Sequence, residues 1–352
     1  MQLKDLLNLM VEKKASDLHV TVGLAPQLRI DGRLQILADF PPLTPQDTKD
    51  LAYSILTAEH RKKFEQAKEL DTSVGITDLG RFRINVYKQR GSVGMAVRLI
   101  PFKVPALAEL GLPKAATIFA DKPSGLVLIT GTTGSGKSTT LASMIEYINS
   151  KRACHIISIE DPIEYLHRHK KSTINQRELG TDTTSFQDAI KHVFRQDPNI
   201  VLIGELRDLE TIRGALTLAE TGHLIFATLH TIDAVHAINR VVDVFPAHQQ
   251  QQVRMQLSMV LVGVIVQQLI PKKADKGRVL AAEVMHVIPA IQSLIRDNNL
   301  HQIYSLIQMG KKYDMCTMNQ SLAELYNKGF VTWEEVYSRS TNPQELVSLV
   351  KR

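Results

Sequence analysis

A glycine-rich segment that contains a lysine follows a strongly apolar run in the middle of the chain. Residues 131–138 read GTTGSGKS and fit the pattern G-x-x-x-x-G-K-[ST]. Glycines let successive backbone N–H groups converge on phosphate oxygens, and a helix that begins there directs the positive end of its dipole at the same anion. We therefore predict a loop that binds the phosphates of ATP, formed by Gly131, Thr132, Thr133, Gly134, Ser135, Gly136, Lys137, Ser138 and Thr139.

Two side chains of this loop have separate tasks. We expect the Lys137 ammonium to reach the β- and γ-phosphates and the Ser138 hydroxyl to bind Mg²⁺, so ATP and Mg²⁺ are the predicted cofactors. The alternative is a glycine-rich turn with an accidental lysine. The apolar run GLVLIT before the loop and the helical pattern of STTLASMIEYINS after it favour the phosphate loop.

Acidic residues follow two further apolar runs. NIVLIGELRD places Glu205 after one run, and IISIEDPIEY places Glu160, Asp161 and Glu164 after another. Ligands bind at the carboxyl ends of strands in open α/β sheets, so we predict that Glu205 holds Mg²⁺ and its water. Glu160 or Glu164 is expected to orient the attacking water or to complete the metal site. Solvated acids at strand exits are the alternative, and the identity of the general base stays open.

Histidines and arginines near other strands are further candidates. ETGHLIFATLHT carries His223 and His230 at the two ends of one apolar run. We assign His223 to nucleotide binding and expect His230, at the carboxyl end, to sense the γ-phosphate. GRFRINVYKQR presents Arg81 and Arg83 on one face of a predicted strand, where either could act as an arginine finger from a neighbouring domain or subunit. Ordinary polar strand residues are the alternative in both cases.

The elements that must position these residues are predicted from the hydrophobic pattern. From about residue 112, continuous apolar runs alternate with helical stretches, as is typical of strands buried on both faces. We predict an α/β domain with a parallel sheet over 112–286 and a helical C-terminal segment over 287–352. Strands are expected at 125–130, 155–160, 199–204 and 223–229, and late helices at 248–270, 289–309, 315–328, 332–339 and 343–351.

Residues 1–100 are predicted to form a small α+β domain, joined by a linker at 101–111. A first helix is indicated by four leucine and methionine residues on one face: Leu3, Leu6, Leu7 and Met10. Alternating strands follow, with hairpin turns at Asp31-Gly32 and Arg90-Gly91. Thr44-Pro45 is expected to begin a second helix, because threonine caps helices and proline suits their first position.

The composition bounds the class of protein. The chain has 352 residues with 44% hydrophobic and 22% charged residues and a net charge of +6, which is typical of a globular protein of two or three domains. Aromatic residues are only 5% and do not interleave with basic ones, so we expect no specific nucleic-acid partner. Cys154 and Cys316 stand alone, which disfavours a disulfide framework or a cysteine-rich zinc site. The uncharged run at 255–271 is interpreted as a core helix rather than a membrane span.

Several segments, taken in order, resemble the secretion ATPase superfamily, and most of all its type IV pilus retraction ATPases. They are GTTGSGKST, IEDPIEY, NIVLIGELRDLETI and AETGHLIFATLHT, with ASDLHVTVGLAPQLRIDGRL before and AIQSLIRD after them. The resemblance implies a PAS-like N-terminal domain followed by a RecA-like P-loop ATPase domain. It also implies a homohexamer on the cytoplasmic face of the inner membrane, peripherally associated with the platform protein of the pilus machinery. Such a motor would power pilus retraction and twitching motility.

The resemblance also assigns motif names and raises alternatives. The Walker A motif falls on 131–138, the acidic box on 158–164, the Walker B motif on 200–205 and the histidine box on 221–230. Two departures are a leucine in GELRD, where the family usually has methionine, and Gln292 in AIQSLIRD, where it usually has arginine. The second departure bears on retraction rather than on hydrolysis. The alternatives are an accessory paralogue, an assembly or secretion ATPase, a nucleic-acid translocase and a non-hydrolysing scaffold.

Overall fold

The chain forms two compact units. The computed structural model describes residues 2–30, 33–76, 79–100, 104–273 and 277–350. One unit comprises Met1–Lys103 together with Glu164–Leu166, and the other comprises Val104–Ile163 together with His167–Arg352. The main division falls inside the segment predicted as the linker, whereas the membership of Glu164–Leu166 in the first unit was not predicted. The bounds predicted for the domains remain predictions, and the predicted turn at Asp31-Gly32 lies outside the described residues.

The first unit packs helices on an antiparallel sheet. The sheet order is β3-β2-β1-β6-β5-β4, and every neighbouring pair is antiparallel. The elements are α1 (Leu3–Glu12), β1 (Asp17–Val20), β2 (Gln27–Ile30), β3 (Arg33–Ile36), α2 (Pro45–Tyr53), α3 (Ala58–Ala67), β4 (Glu69–Ile76), β5 (Gly80–Gln89) and β6 (Ser92–Ile100).

Local sequence explains these elements. The four apolar residues predicted for the buried face of α1 are all buried. The Thr44 side chain accepts the backbone N–H of Asp47, and Pro45 occupies the first position of α2, so both predicted signals are confirmed. The turn between β5 and β6 contains Arg90 and Gly91, whose φ angles of 49° and 80° are left-handed.

The second unit surrounds a mostly parallel sheet with helices. The sheet order is β13-β12-β7-β11-β10-β8-β9, and β13 is antiparallel to β12 while the other pairs are parallel. The elements are α4 (Ala115–Ala120), β7 (Gly125–Thr130), α5 (Lys137–Lys151), β8 (His155–Glu160), β9 (Thr173–Glu178), α6 (Phe186–Val193), β10 (Ile200–Ile203), α7 (Leu209–Glu220), β11 (Leu224–Leu229), α8 (Ala234–Asp243), α9 (Ala247–Val260), β12 (Leu261–Pro271), β13 (Arg278–His286), α10 (Pro289–Arg296), α11 (Ile303–Met309), α12 (Met318–Asn327), α13 (Trp333–Arg339) and α14 (Pro343–Leu349).

The central strands of this sheet are buried on both faces, as their continuous apolar sequences predict. Every residue of β7, β10 and β11 is buried. On β7, Leu126 and Leu128 pack in the core that includes α6 to α9, whereas Val127 and Ile129 pack in the core that includes α4 and α5. The prediction of an α/β unit with a parallel sheet is therefore confirmed. Among the helices of the described ranges, none combines the length and the apolar character needed to cross a membrane.

The helix predicted at 248–270 is wrong in its second half. The helix ends at Val260, and Leu261–Pro271 forms β12, which pairs with β7 and with the unpredicted β13. A continuous apolar run does not distinguish a buried strand from a buried helix, and the β-branched residues of LVGVIVQQLIP were the better signal. Glycine is needed at position 263 of this strand, because a Cβ there would lie 2.2 Å from the Phe119 ring.

The later helices are confirmed with shorter bounds. The helix predicted at 289–309 is interrupted between α10 and α11, where Asn298 has a left-handed φ of 59°. The helix predicted from 315 begins at Met318, because Thr317 caps it by accepting the Gln320 N–H. The last helix has the predicted cap, since the Asn342 side chain accepts the Glu345 N–H.

Candidate active site

The parallel sheet brings the predicted motifs to one edge. Strands β7, β11, β10 and β8 are consecutive neighbours and run in the same direction. Leu229 is opposite Thr130, and Ile203 is opposite both Ala227 and Ile159. Glu160 therefore ends a strand at this edge, and the phosphate loop, Glu205 and His230 follow strands that end there, where ligands bind in open α/β sheets.

The phosphate loop requires its glycines. Gly131, Gly134 and Gly136 have φ angles of 139°, 78° and 93°, which favour glycine. At Gly131 space is also limiting, because a Cβ would lie 2.4 Å from the backbone oxygen of Gln267. Helix α5 begins at Lys137, within the loop, so the positive end of its dipole lies at the loop.

Lys137 is held by the loop that it follows. The side chain is only 8% exposed, and its Nζ donates hydrogen bonds to the Gly131 carbonyl at 2.8 Å and to the Thr132 carbonyl at 3.1 Å. These bonds keep a positive charge at the loop. Ser138 follows it as the second residue of α5 and is half-buried. The arrangement suits a polyphosphate, because backbone N–H groups and one ammonium converge on the same anion.

Glu205 is the centre of a charged cluster. Its carboxylate lies 2.8 Å from Nη2 of Arg207 and 3.5 Å from Nε2 of His230. Burial raises the pKa of the Glu205 carboxyl, but the Arg207 hydrogen bond and the charges of Arg207, His230 and Lys137 outweigh it, so the pKa lies below its ordinary value. The carboxylate therefore stays ionised at neutral pH, as a ligand of a Mg²⁺–water cluster must.

Glu160 is fixed at the end of β8. The Ser158 hydroxyl donates to its Oε1 at 2.6 Å, and Nε2 of Gln176 donates to the same oxygen at 3.1 Å. The neighbouring chain lies alongside, since the Gly204 N–H donates to the Ile159 carbonyl at 2.8 Å. This bond places Glu205, which follows Gly204, beside the end of β8, which carries Glu160.

Glu164 and His223 are not brought to this edge within the second unit. Glu164 is exposed and belongs to the first unit. His223 precedes β11, and its backbone oxygen accepts the N–H of Gly125 at the start of β7. Six residues of extended strand correspond to about 20 Å, so His223 lies far from the phosphate loop of its own chain. Its imidazole contacts the Leu218 carbonyl and the Thr221 hydroxyl, and its assignment to nucleotide binding stays a prediction.

Two residues of the site were missed in the sequence. Gln267 of β12 donates from Nε2 to the Thr140 hydroxyl of α5 at 2.8 Å, while its backbone packs against Gly131. Thr130 exchanges hydrogen bonds with Thr231, because its hydroxyl donates to the Thr231 carbonyl at 2.8 Å and accepts the Thr231 N–H at 2.9 Å. A polar glutamine within the apolar run of β12 was the available signal for the first residue.

Gly131→Ala is expected to weaken ADP binding by tenfold or more. The added Cβ would collide with the Gln267 backbone, which cannot move without displacing β12. Gly134→Ala is the matched control, because that position shares a left-handed φ but has no atom within 4 Å of the place that a Cβ would occupy. Its loss of affinity is expected to be smaller than that of Gly131→Ala, since it bears only the cost of a left-handed residue, about 1–2 kcal/mol, which both variants share. Titration of a fluorescent ADP measures both, and equal losses would contradict the role given to the Gln267 contact.

Known proteins resemble this chain over most of its length. Residues 95–338 match the family model described as Type II/IV secretion system protein. The type IV pilus retraction ATPase PilT of Pseudomonas aeruginosa is 46% identical over 98% of this chain and 99% of its own. The type IV pilus ATPase PilU of the same organism is 39% identical over 100% of this chain and 92% of its own.

A solved structure shows that the similarity extends from the sequence to the fold. The crystal structure of the pilus retraction motor PilT with bound ADP superposes with a TM-score of 0.94 and 50% identity, and it covers 99% of both chains. The order of motifs, the sheet edge and these full-length similarities lead to one conclusion. The chain belongs to the Type II/IV secretion system protein family, among its pilus retraction ATPases.

Proposed function

We propose that this chain hydrolyses ATP and thereby powers type IV pilus retraction and twitching motility. The proposal rests on one observation: the phosphate loop, Glu160, Glu205 and His230 all lie at the same edge of the parallel sheet. A solved relative with the same fold, described as a pilus retraction motor, holds ADP. Nucleotide binding and a placed pair of carboxylates are what hydrolysis at this edge requires.

We propose Mg²⁺ as the second cofactor, held by Ser138 and Glu205 through the nucleotide and water. The donors fit, because Mg²⁺ prefers hard oxygen ligands and the Glu205 carboxylate is kept ionised. Within the described residues no group of three or more metal-binding side chains could hold an ion by itself. A bound Mg²⁺ would neutralise part of the phosphate charge. Ser138, in the first turn of α5, would bind the ion through its hydroxyl, and Glu205 would hold it through a water.

The chain's own residues divide the remaining work. Lys137 and the loop N–H groups bind the phosphates, and the loop carbonyls that hold Lys137 fix its position before binding. Glu205 or Glu160 orients the attacking water and accepts its proton. His230, 3.5 Å from Glu205, registers whether the γ-phosphate is present. Neither Glu164 nor His223 contributes to the site described above. Their proposed roles, in orienting water and in binding nucleotide, would require contacts with groups outside that site.

We propose that the active assembly is a homohexamer in which Arg81 and Arg83 complete a nucleotide site. Both side chains project from the same face of β5, opposite the buried Phe82 and Ile84. Arg81 donates from Nη2 to the Ser73 hydroxyl, and Arg83 Nε lies 3.8 Å from an Asp71 carboxylate oxygen. The Arg83–Asp71 pair is long and exposed, so it is easily exchanged for a phosphate, which binds arginine more strongly.

Arg81→Ala and Arg83→Ala are expected to lower kcat at least tenfold and to change ADP affinity less than threefold. An arginine finger stabilises charge that develops in the transition state, so its loss affects turnover more than binding. Lys88→Ala is the control, since Lys88 is an exposed residue near the end of the same strand. Steady-state kinetics and ADP titration give both values. Equal losses in turnover and affinity would count against a finger.

We propose that the hexamer works at the cytoplasmic face of the inner membrane, against the platform protein of the pilus machinery, without a specific nucleic-acid partner. The test is a strain that lacks the gene for this chain, scored for retraction of labelled pili. Complementation with the wild-type chain should restore retraction, and complementation with Lys137→Ala should not. Restoration by both would refute ATP-driven retraction.

An accessory role beside a main motor is the second candidate. It is favoured by full-length similarity to the type IV pilus ATPase PilU and by Gln292 on α10 at the position where the retraction family usually has arginine. Retraction in a strain with no other pilus ATPase of this family distinguishes the two roles. A main motor restores retraction alone, whereas an accessory protein does so only beside its paralogue.

A further inference from the structure

One buried carboxylate joins the first residues of two helices. Glu283 lies within β13, and its residue is only 2% exposed. Its Oε1 accepts the backbone N–H of Ala234 at 2.8 Å, and its Oε2 accepts the backbone N–H of Met318 at 3.4 Å. Ala234 is the first residue of α8, and Met318 is the first residue of α12. The proposed mechanism does not use this side chain.

Helix α8 directly follows, in the chain, residues that lie at the nucleotide edge, which is the sheet edge that carries the phosphate loop. His230, which contacts Glu205, and Thr231, which bonds to Thr130 just before the phosphate loop, precede it. Only two residues separate Thr231 from Ala234. The position of the α8 N-terminus therefore bears on the position of His230 and Thr231.

Helix α12 leads in the other direction, into the C-terminal helices. Asn319, its second residue, donates from Nδ2 to the Asn342 carbonyl at 2.9 Å and to the Glu345 carboxylate at 2.6 Å. Glu345 also accepts the Tyr304 hydroxyl of α11. A displacement of the α12 N-terminus would therefore change the contacts of α11 and α14 as well.

The choice of a carboxylate here is costly. Burial raises the pKa of Glu283 to about 7, the two N–H bonds oppose that rise, and the negative charges of Asp233 and Glu345 add to it. A neutral side chain would avoid this cost. Only a carboxylate, however, offers an acceptor oxygen to each helix without presenting a donor.

We propose that Glu283 couples the nucleotide edge to the C-terminal helices, as a positioning residue that holds the starts of α8 and α12 on one side chain. A change at His230 and Thr231 on nucleotide binding then moves α12 together with α8. This inference rests on the proposed function, because it concerns how hydrolysis at that edge reaches the rest of the unit.

Glu283→Gln tests the coupling with little change in volume. The amide keeps one acceptor but turns an NH₂ group toward the second helix, so one of the two bonds is lost. At pH 8, where the Glu283 carboxyl is ionised, we expect kcat for ATP to fall at least tenfold while KM changes less than threefold. Glu345→Gln is the matched control, because it alters the same C-terminal network without touching α8, and its kcat should stay within twofold.

Stability separates coupling from a structural role. The pKa of Glu283 is raised in the folded chain, so its contribution to stability is greatest below pH 4.5 and declines as the pH rises through about 7. Glu283→Gln removes this decline, and its Tm at pH 8 should equal or exceed that of the wild type. A slower enzyme that is no less stable supports the proposal. Wild-type kcat in Glu283→Gln, or an equal loss in Glu345→Gln, overturns it.

Hydrogen exchange of the wild-type chain keeps the proposal testable if the variant does not fold. Adding Mg²⁺ and ADP should slow exchange in peptides that cover 231–236 and 316–321 together. Protection confined to 231–236 would show that the two helices are not coupled. A wild-type chain that binds or hydrolyses no nucleotide would instead refute the proposed function, so the two failures are distinguishable.

Discussion

Lys137→Ala is expected to weaken ATP and ADP binding by at least 100-fold. Lys137 is buried at the loop and donates to two loop carbonyls, so its removal takes one donor from each carbonyl and removes the cation. A hydrogen bond that involves a charged group contributes about 1.5–3 kcal/mol. Two lost contacts to phosphate oxygens therefore correspond to roughly 3–6 kcal/mol, or a loss of affinity of at least about 100-fold.

Titration of a fluorescent nucleotide measures this loss directly. Lys151→Ala is the control, because Lys151 ends the same helix and its Nζ contacts the Tyr147 hydroxyl rather than the loop. The control should bind as the wild type does. An unchanged far-ultraviolet circular dichroism spectrum would show that Lys137→Ala is folded. An affinity within tenfold of the wild type would show that Lys137 does not contact the phosphates.

The phosphate loop could be predicted because its information is local. Three glycines with left-handed φ angles, one lysine and a helix start are encoded within eight residues, and no distant partner decides their order. The same holds for the helix caps at Thr44 and Asn342, where the capped N–H lies three residues away.

The positions of Glu160 and Glu205 could be predicted only indirectly, from the direction of their strands. Glu160 and Glu205 lie far apart in the sequence, but strands of equal direction must end at the same edge of a sheet. The same rule places His223, which precedes its strand, at the opposite edge, and its assignment to nucleotide binding stays a prediction. Strand direction, rather than the presence of a histidine, determines which edge a residue occupies.

The remaining features depend on pairings that no spacing reveals. Strand β12 was taken for a helix because its apolar run fits either structure, and only its pairing with β7 and β13 decides between them. Gln267 reaches the phosphate loop through that pairing. Glu283 accepts N–H groups from residues 49 and 35 positions away, so neither contact leaves a periodic signal in the sequence.

Glu205→Gln is expected to keep nucleotide affinity within threefold and to lower kcat at least 100-fold. Glutamine keeps the size of the side chain but loses the charge that holds water and Mg²⁺ at the edge, and that charge acts most strongly in the transition state. The ground-state contacts of Lys137 with the nucleotide remain. Single-turnover hydrolysis, compared with ADP titration, separates the two effects.

The pH dependence of Glu205 gives a second readout. Its pKa is lowered in the folded chain, so the stability that it contributes is present above the ordinary pKa near 4.5 and declines as the pH falls through the lowered value. The carboxylate is therefore ionised throughout pH 6–9, and Glu205→Gln should lower kcat by the same factor across that range. A loss that appears on one side of the range only would assign the effect to another group.

Glu160→Gln decides which carboxylate is the base. Both Glu160 and Glu205 lie at the edge, but Glu160 is bound by Ser158 and Gln176, whereas Glu205 is paired with Arg207 and His230. A base must accept a proton, and the cations around Glu205 disfavour that, so we expect Glu160→Gln to abolish hydrolysis at saturating Mg²⁺. Raising Mg²⁺ should partly restore Glu205→Gln, since that variant has lost a metal contact. If raised Mg²⁺ restored hydrolysis by Glu160→Gln instead, Glu160 would be the metal contact and Glu205 the base.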